Sequence, residues 1–256
     1  IYTAHGIAFR DNQAYPRRQI MKGAEWMATR AVRGLASVSR ADLQTLQSIR
    51  KTKQANALYV PNPVDTKKFS PGSRSEARMR LGLPSTGFVV GTVSRLVEQK
   101  AVDILIQAAA VLPSSTLVIV GTGPLEGQLK RLAAESGVNA LFLGERSDVA
   151  QIIPAFDVFA LSSLWEGEPL SLLEAMACGV ACVASATPGA ADILEHGQDG
   201  SLFPLGDVDS LARILDAHRN DESYRDQMGA AALLGAKKRT VEQVVEMTLN
   251  LYQACL

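Results

Sequence analysis

From residue 88 onward the chain alternates short apolar runs with helical stretches, and this alternation limits the possible folds more than any other feature. The runs are 88–93 (FVVGTV), 116–120 (TLVIV), 140–143, 157–161 (DVFAL), 180–184 (VACVA) and 201–203. Helical patterns fall between them near 101–112, 125–136, 148–155, 170–178, 189–195 and 207–218, and two more helices near 222–236 and 240–255 close the chain. Strands alternating with helices of this length imply βαβ units and a parallel sheet. The expected class is α/β, a Rossmann-like parallel sheet flanked by helices.

The first part of the chain is less regular. It opens with IYTAHG, which reads as the end of a buried strand, with no initiator Met and no signal peptide, so the chain is expected to be a fragment. Segment 15–34 has helical character, with Arg17, Arg18, Lys22 and Arg30 beside Ile20, Trp26 and Met27. A basic amphipathic helix can lie on a membrane surface. The same polar face carries Glu25 and Gln19, which favours a solvated face. Residues 35–39 read as a short strand, with Ser39 placed to cap a helix that begins near Ala41. Residues 59–72 (YVPNPVDTKKFSPG) hold three prolines and few consecutive apolar residues, the mark of a stiff connector, and the domain boundary is placed there.

Composition narrows the function classes. With 256 residues, 47% of them hydrophobic, the chain can bury a large core. Its 26 basic and 26 acidic residues leave no basic excess for nucleic acid. No apolar run is long enough for a membrane span. Cys178, Cys182 and Cys255 match neither a disulfide framework nor a zinc pattern; the first two read as small buried apolar groups, and a reducing cytosol fits best.

In an open parallel sheet, ligands bind beyond the carboxyl ends of the strands. After the 88–93 run come Ser94, Arg95 and Leu96, then Lys100 at a helix start. Gly91 permits close backbone approach, and the planar fork of Arg95 and the point charge of Lys100 both suit phosphate oxygens. After the second run comes Gly121-Thr122-Gly123-Pro124, a tight turn with exposed amides that is not the dinucleotide GxGxxG. The fourth run leads into SSLWEGEPLSLLEAMACG (162–179), where Glu166 and Glu174 are separated by seven residues. Glu166 lies in a loop. Glu174 lies early in an apolar helix, where an acid interacts favourably with amide dipoles and can accept two hydrogen bonds from a vicinal diol such as a ribose. The fifth run ends in Thr187-Pro188-Gly189-Ala190-Ala191, another helix start. Each signal alone also reads as a surface charge, a turn or a helix cap. Together, two cations suited to a diphosphate and an acid suited to a ribose imply a nucleoside diphosphate carrying another group.

With these residues in place, the chain resembles the donor-binding half of the retaining, group 1 glycosyltransferases of the GT-B fold. The resemblance rests on VPNPVDTKKFSP, GTVSRLVEQKAVDILIQA, VIVGTGPLEGQL, LGERSDVAQIIPAFDVFALSSLWEGEPLSLLEAMACGVACVAS and the DG before Ser201, and extends over 59–218. It implies a remnant of the acceptor-side domain with the connector in 1–60, a donor domain in 61–239, and a last helix, 240–256, that returns toward the acceptor side. Most of the acceptor domain would be missing.

The resemblance also implies roles. Arg95 and Lys100 would bind the diphosphate and stabilise it as it leaves, Glu174 would hold the ribose hydroxyls, and Glu166 would face the donor sugar. Main-chain groups at Pro169, Leu170, Ser171 and Leu172 would add contacts, although Pro169 has no N–H to give; Gly91, Gly121 and Gly123 belong to the same donor-binding set. His5 would approach the sugar from the opposite domain. No metal and no cofactor beyond the nucleotide sugar is expected, and Asp207-Val208-Asp209 reads as a helix cap. The acceptor would be a sugar, lipid or polysaccharide. The location would be cytoplasmic, with peripheral contact at the inner membrane face left open. Three positions depart from the family pattern: Ala101 stands for a usual Gly, Thr187-Pro188-Gly189 for a Gly-Gly pair, and Asp192 near a usual Glu. The other readings are a non-catalytic nucleotide-sugar-binding module or another GT-B enzyme such as a nucleotide-sugar epimerase.

Overall fold

The computed structural model describes residues 1–7, 15–50 and 56–256. They form two parallel sheets. The small one holds β1 (Tyr2–Ala4), β2 (Gly34–Ser37) and β3 (Asn56–Tyr59) in that order, with α1 (Tyr15–Arg30) and α2 (Arg40–Arg50) between them in the chain. Ser39 Oγ accepts from the amide of Asp42 at 3.4 Å, as expected of a cap at the start of α2. The sequence pattern does not single out β3. In α1 the structure corrects one expectation: Glu25 is not on the solvated face but buried, and its carboxylate accepts a hydrogen bond from the Tyr2 hydroxyl at 2.7 Å.

The connector is not a free strap. Val64 and Phe69 are buried, the amide of Val64 donates to the carbonyl of Arg239 at 2.9 Å, and α3 (Arg74–Arg80) follows, capped by Ser73. The large sheet then begins with β4 (Phe88–Val93), α4 (Val102–Ala109), β5 (Ser115–Val120), α5 (Glu126–Glu135) and β6 (Ala140–Gly144). It continues through α6 (Val149–Ile152), β7 (Val158–Leu161), α7 (Leu170–Ala177), β8 (Ala181–Ser185), α8 (Pro188–Ala191) and β9 (Ser201–Phe203). Strand order is β6-β5-β4-β7-β8-β9, parallel throughout. Pro154 lies in a 3₁₀ turn, Ile153–Ala155, so the 148–155 helix stops short as an α-helix.

Alternate strand residues face opposite sides, and both sides are covered. Val89, Val118, Phe159 and Cys182 pack with Leu172, Leu173 and Met176 of α7 on one face. Val90, Ile119, Ala160 and Val183 pack with Leu105 of α4 and Leu211 of α9 (Val208–Asn220) on the other. Asp207 caps α9 by accepting from the amide of Ser210 at 2.9 Å. Gly91 is a packing position: a side chain there would collide with the ring of buried Phe156. After α10 (Glu222–Ala236), α11 (Val241–Ala254) returns to the small sheet, where Val244 and Leu251 pack with Ala36 and Val60. Its Val241, Val245 and Leu249 stay exposed. No helix among the described residues is long and apolar enough to cross a membrane.

The amino ends of the strands close on a buried charge. Asp157 accepts from Arg78 Nη2 at 2.5 Å and from the amide of Val89 at 2.7 Å, with Arg74 at 3.4 Å and Arg225 at 3.8 Å. The remaining Arg78 nitrogens donate to the carbonyls of Ala155, Ser85 and Gly87.

Candidate functional site

The strand order reverses between β4 and β7, and in open parallel sheets ligands bind at the carboxyl ends of the strands beside such a reversal. The two loops that border it are stitched together. The amide of Leu164 donates to Gln99 O at 2.8 Å, Gln99 Nε2 donates to Trp165 O at 2.8 Å, and Ser162 Oγ donates to Ala101 O at 2.8 Å. Ser185 Oγ, at the end of β8, donates to Ser163 O. Backbone hydrogen bonds and short side chains therefore fix the rim in advance.

Within it, Lys100 and Glu166 meet directly. Lys100 Nζ lies 2.5 Å from Glu166 Oε1, and Ser163 Oγ donates to the same oxygen at 2.6 Å. Both charged side chains are largely buried, with 14% and 7% exposure. Glu166 Oε2 receives no hydrogen bond from a described residue, so one oxygen is tied down and the other is available. Arg95, two residues beyond β4, is exposed and its guanidinium has no ion pair among the described residues. Ala101, next to Lys100, has a left-handed backbone (φ 43°, ψ 47°), the conformation a glycine adopts at no steric cost.

Leu172, Leu173, Ala175 and Met176 of α7 enter the core, which leaves Leu170, Ser171 and Glu174 on its one uncovered face. Pro169 caps this helix without a side-chain hydrogen bond, and its carbonyl accepts from the amide of Leu172 at 3.2 Å. The amides of Leu170 and Ser171 have no acceptor among the described residues, as expected of an uncapped first turn. Glu174 also lacks a hydrogen-bond donor there. Burial pushes its carboxyl up to about 7, against the opposing pull of the Lys68 ammonium. A half-buried acid with no donor is a costly arrangement in a folded chain and marks a position open to a ligand.

The glycine turns support the rim. Side chains at Gly121 and Gly123 would collide with the carbonyls of Ser94 and Leu96, and Leu96 exchanges hydrogen bonds with Thr122 and Leu125. The GTGP turn is thus packed under the segment that carries Arg95. Gly189 plays the same part beneath Glu166 and Gly167, while Thr187 caps α8 through the amide of Ala190 at 3.2 Å. Asp192, at the end of α8, accepts from the amide of Arg40 at 2.8 Å, which ties the start of α2 to the large-sheet domain. His5 comes from the small sheet: its carbonyl lies so near Gly167 that a side chain there would approach it to 2.6 Å. His5 also lines a cavity of about 180 Å³ with Pro61, Asn62, Val244 and Leu251.

Glu168 is the residue that sequence reasoning misses. Its carboxylate accepts from the Tyr59 hydroxyl at 3.0 Å, from the amide of Asn62 and from Arg239 Nη1, and Arg239 reaches on to the carbonyl of Asp192. Burial pushes its carboxyl up, and the Asn62 amide and Arg239 pull it back down. It fastens the acid loop to the connector and to the segment before α11. The available signal is the repeat of Glu on either side of Gly167, which the Glu166–Glu174 spacing overshadows. Lys68 also goes unread.

A Rossmann-type sheet with a cation–acid pair at its switch point, joined by a proline-rich connector to a second parallel sheet, has the architecture of the GT-B class. Over 99% of its length the chain superposes on Anabaena Alr3699/HepE, solved with UDP and glucose, at a TM-score of 0.88 and 25% identity, covering 71% of that chain. The family model described as glycosyl transferases group 1 matches residues 73–234, and the chain belongs to that family. It is 32% identical over 227 residues to the Escherichia coli UDP-Gal:alpha-D-GlcNAc-diphosphoundecaprenol alpha-1,3-galactosyltransferase, covering 84% of this chain and 58% of the relative. It is 35% identical over 189 residues to a GDP-mannose-dependent monoacylated alpha-(1-6)-phosphatidylinositol monomannoside mannosyltransferase of Corynebacterium glutamicum, covering 68% and 49%. The chain thus spans about half the length of these curated relatives.

Proposed function

We propose that this chain is the donor side of a glycosyltransferase that moves a sugar from a nucleoside diphosphate to a sugar acceptor with retention at the anomeric carbon. The observation that carries the reading is the Lys100–Glu166–Ser163 contact at the switch point, with Glu174 left without a donor on the next helix. The names of the relatives, which include UDP-Gal and GDP-mannose, support a nucleotide-sugar donor. Their named lipid-linked substrates support an acceptor sugar carried on a lipid.

In this reading Arg95 and Lys100 hold the diphosphate, and Glu174 takes the ribose hydroxyls. As the anomeric carbon–oxygen bond breaks, negative charge grows on the departing diphosphate and positive charge on the sugar ring. Lys100, Arg95 and the free amides of α7 stabilise that charge more in the transition state than in the bound donor. Glu166, fixed by Ser163, presents its free oxygen to the sugar. His5 stands across the acid loop, on the acceptor side. Fixed cations take the part a divalent ion plays elsewhere, so the reaction is metal-independent. The three cysteines, all free thiols, fit work on the cytoplasmic side.

Calorimetry with UDP, GDP and pyrophosphate tests the assignment. Lys100→Ala lowers affinity for all three by about 10- to 100-fold, the value of one charge-assisted hydrogen bond. Glu174→Gln lowers affinity for UDP and GDP and spares pyrophosphate, and EDTA changes neither result. Equal losses for pyrophosphate and UDP remove Glu174 from the ribose. Unchanged affinity in Lys100→Ala removes the phosphate site.

A further inference from the structure

Two acids stand on either side of Gly167, and the fold treats them in opposite ways. Glu166 has one oxygen tied to Lys100 and Ser163, and the other receives no hydrogen bond from a described residue. Glu168 has both oxygens filled: Oε1 accepts from the Tyr59 hydroxyl at 3.0 Å and from Arg239 Nη1, and Oε2 accepts from the amide of Asn62. Its side chain is fully buried. The side-chain amide of Asn62 also donates to the Glu168 carbonyl at 3.1 Å, so the backbone is held as well. None of these partners belongs to the acid loop. Tyr59 ends β3, Asn62 lies in the connector, and Arg239 precedes α11. The chain passes between the two sheets twice, once through the connector and once before α11, and each pass places a donor on this carboxylate. The passes are tied to each other too, since the amide of Val64 donates to the carbonyl of Arg239 at 2.9 Å.

A buried ion pair is a poor way to stabilise a fold, because desolvation offsets most of the attraction and apolar side chains of similar size do as well or better. It is a good way to fix a direction, because each hydrogen bond demands its own angle. Little slack separates this anchor from Glu166. Gly167 alone lies between them, and it is wedged: a side chain there would approach the His5 carbonyl to 2.6 Å, and one at Gly189 would collide with the Gly167 carbonyl. On its other side, α7 is held by its own core residues Leu172 and Leu173, so the effect of the anchor falls on the loop before it.

We propose that Glu168 and Arg239 are positioning residues of the donor site: they carry the placement of the small sheet to the acid loop and so set where the open oxygen of Glu166 meets the sugar. The part of this inference that concerns the sugar rests on the nucleotide-sugar reading; the part that concerns the loop rests on the hydrogen bonds alone.

The test has one arm for the loop and one for the sugar. Trp165 lies half-buried beside Glu166, and Trp26 is the other tryptophan of the chain, so in a Trp26→Phe background the fluorescence of Trp165 reports the acid loop. Glu168→Gln keeps the shape of the side chain and removes its charge; it shifts the Trp165 emission and opens the ring to acrylamide quenching. In calorimetry the same variant binds UDP and GDP nearly as the wild type does. The advantage of UDP-glucose, UDP-galactose or GDP-mannose over its own diphosphate falls about tenfold, the value of one hydrogen bond to a charged group. Arg239→Lys keeps the cation but gives up the arm that reaches the carbonyl of Asp192, and moves both readings the same way by less. It carries the test if Glu168→Gln fails to fold. Asp157→Asn, which destabilises the chain from the far end of the strands, moves neither reading. An unchanged Trp165 in folded Glu168→Gln overturns the proposal, as does a shifted Trp165 with the sugar advantage intact. The same changes in Asp157→Asn overturn it too, by making them a mark of lost stability. A wild type that prefers no sugar nucleotide to its diphosphate overturns the sugar-facing role of Glu166, and the Trp165 arm, which needs no ligand, tells that failure from a failure of the anchor.

Discussion

The two ends of the large sheet treat charge in opposite ways. At the amino ends of the strands, Asp157 is buried among three arginines and the amide of Val89, and Arg78 donates to three carbonyls besides. At the carboxyl ends, Arg95 has no partner among the described residues, Lys100 has one, and Glu174 has lost water without gaining a donor. Both ends belong to one rigid sheet and share its core, so packing does not account for the contrast. A buried charge with a full set of partners holds structure. A charge left short of partners costs stability, and its retention makes sense where a ligand completes the set.

The largest expected effect comes from breaking the satisfied end. Asp157→Ala leaves Arg78 and Arg225 buried without their acid and destabilises the fold by about 3–5 kcal/mol, a fall of roughly 10 °C in melting temperature. The protein that remains folded keeps its affinity for UDP, because the cluster lies at the far end of the strands. A loss of affinity that matches the loss of stability would show the two ends to be coupled, and the contrast between them would lose its meaning.

Two buried titratable groups sharpen the comparison with opposite signs. His218 is fully buried beside Arg225, both ring nitrogens lack a partner among the described residues, and burial pulls it down to about 4. It is neutral in both states above its unfolded value near 6.5. As pH falls from there to 4 the unfolded chain takes up the proton and the folded one does not, a loss of about 3 kcal/mol. Glu174, raised from 4.5 to about 7, behaves in reverse: the protonated form suits the fold, and stability is lost as pH rises across that window. Water on the open side of α7 limits this loss to about 1–2 kcal/mol. Urea titrations across pH 4–7 separate the groups. His218→Phe gains on the wild type as pH falls, and Glu174→Gln gains as pH rises. Two flat difference curves would show that neither group is buried as described.

The sequence exposes the fold and the rim unequally. The inner large-sheet strands announce themselves because both faces are covered, so β5, β7 and β8 read as nearly unbroken apolar runs, while the edge strand β6 is only half-buried. The rim residues Arg95, Lys100 and Glu166 stand out because each follows such a run within a few positions. The Asp157 cluster stays hidden: Arg78 and Asp157 are 79 positions apart, and no local pattern signals a pair made only by tertiary packing. Glu168 is hidden for the same reason, since Tyr59 and Arg239 reach it from distant segments. Glu25 misleads, because periodicity marks which residues share a helix face and not which face turns inward.

The smallest expected effect lies at Ala101, between the two kinds of site. Its left-handed backbone costs an L-residue about 1–2 kcal/mol, and Ala101→Gly removes that strain. The same change loses one buried methyl, about 0.8 kcal/mol, and frees the unfolded chain by about 0.5–1 kcal/mol more. The contributions nearly cancel, so stability moves by less than about 1 kcal/mol in urea unfolding. Donor affinity stays put as well. Ser162 Oγ bonds the carbonyl of Ala101, and Leu164 and Trp165 hold Gln99 on the other side, so the turn keeps its path whatever the residue. A clear fall in UDP affinity on Ala101→Gly would show instead that the strained alanine aims Lys100, and would move this turn from the group of satisfied supports to that of residues held ready for a ligand.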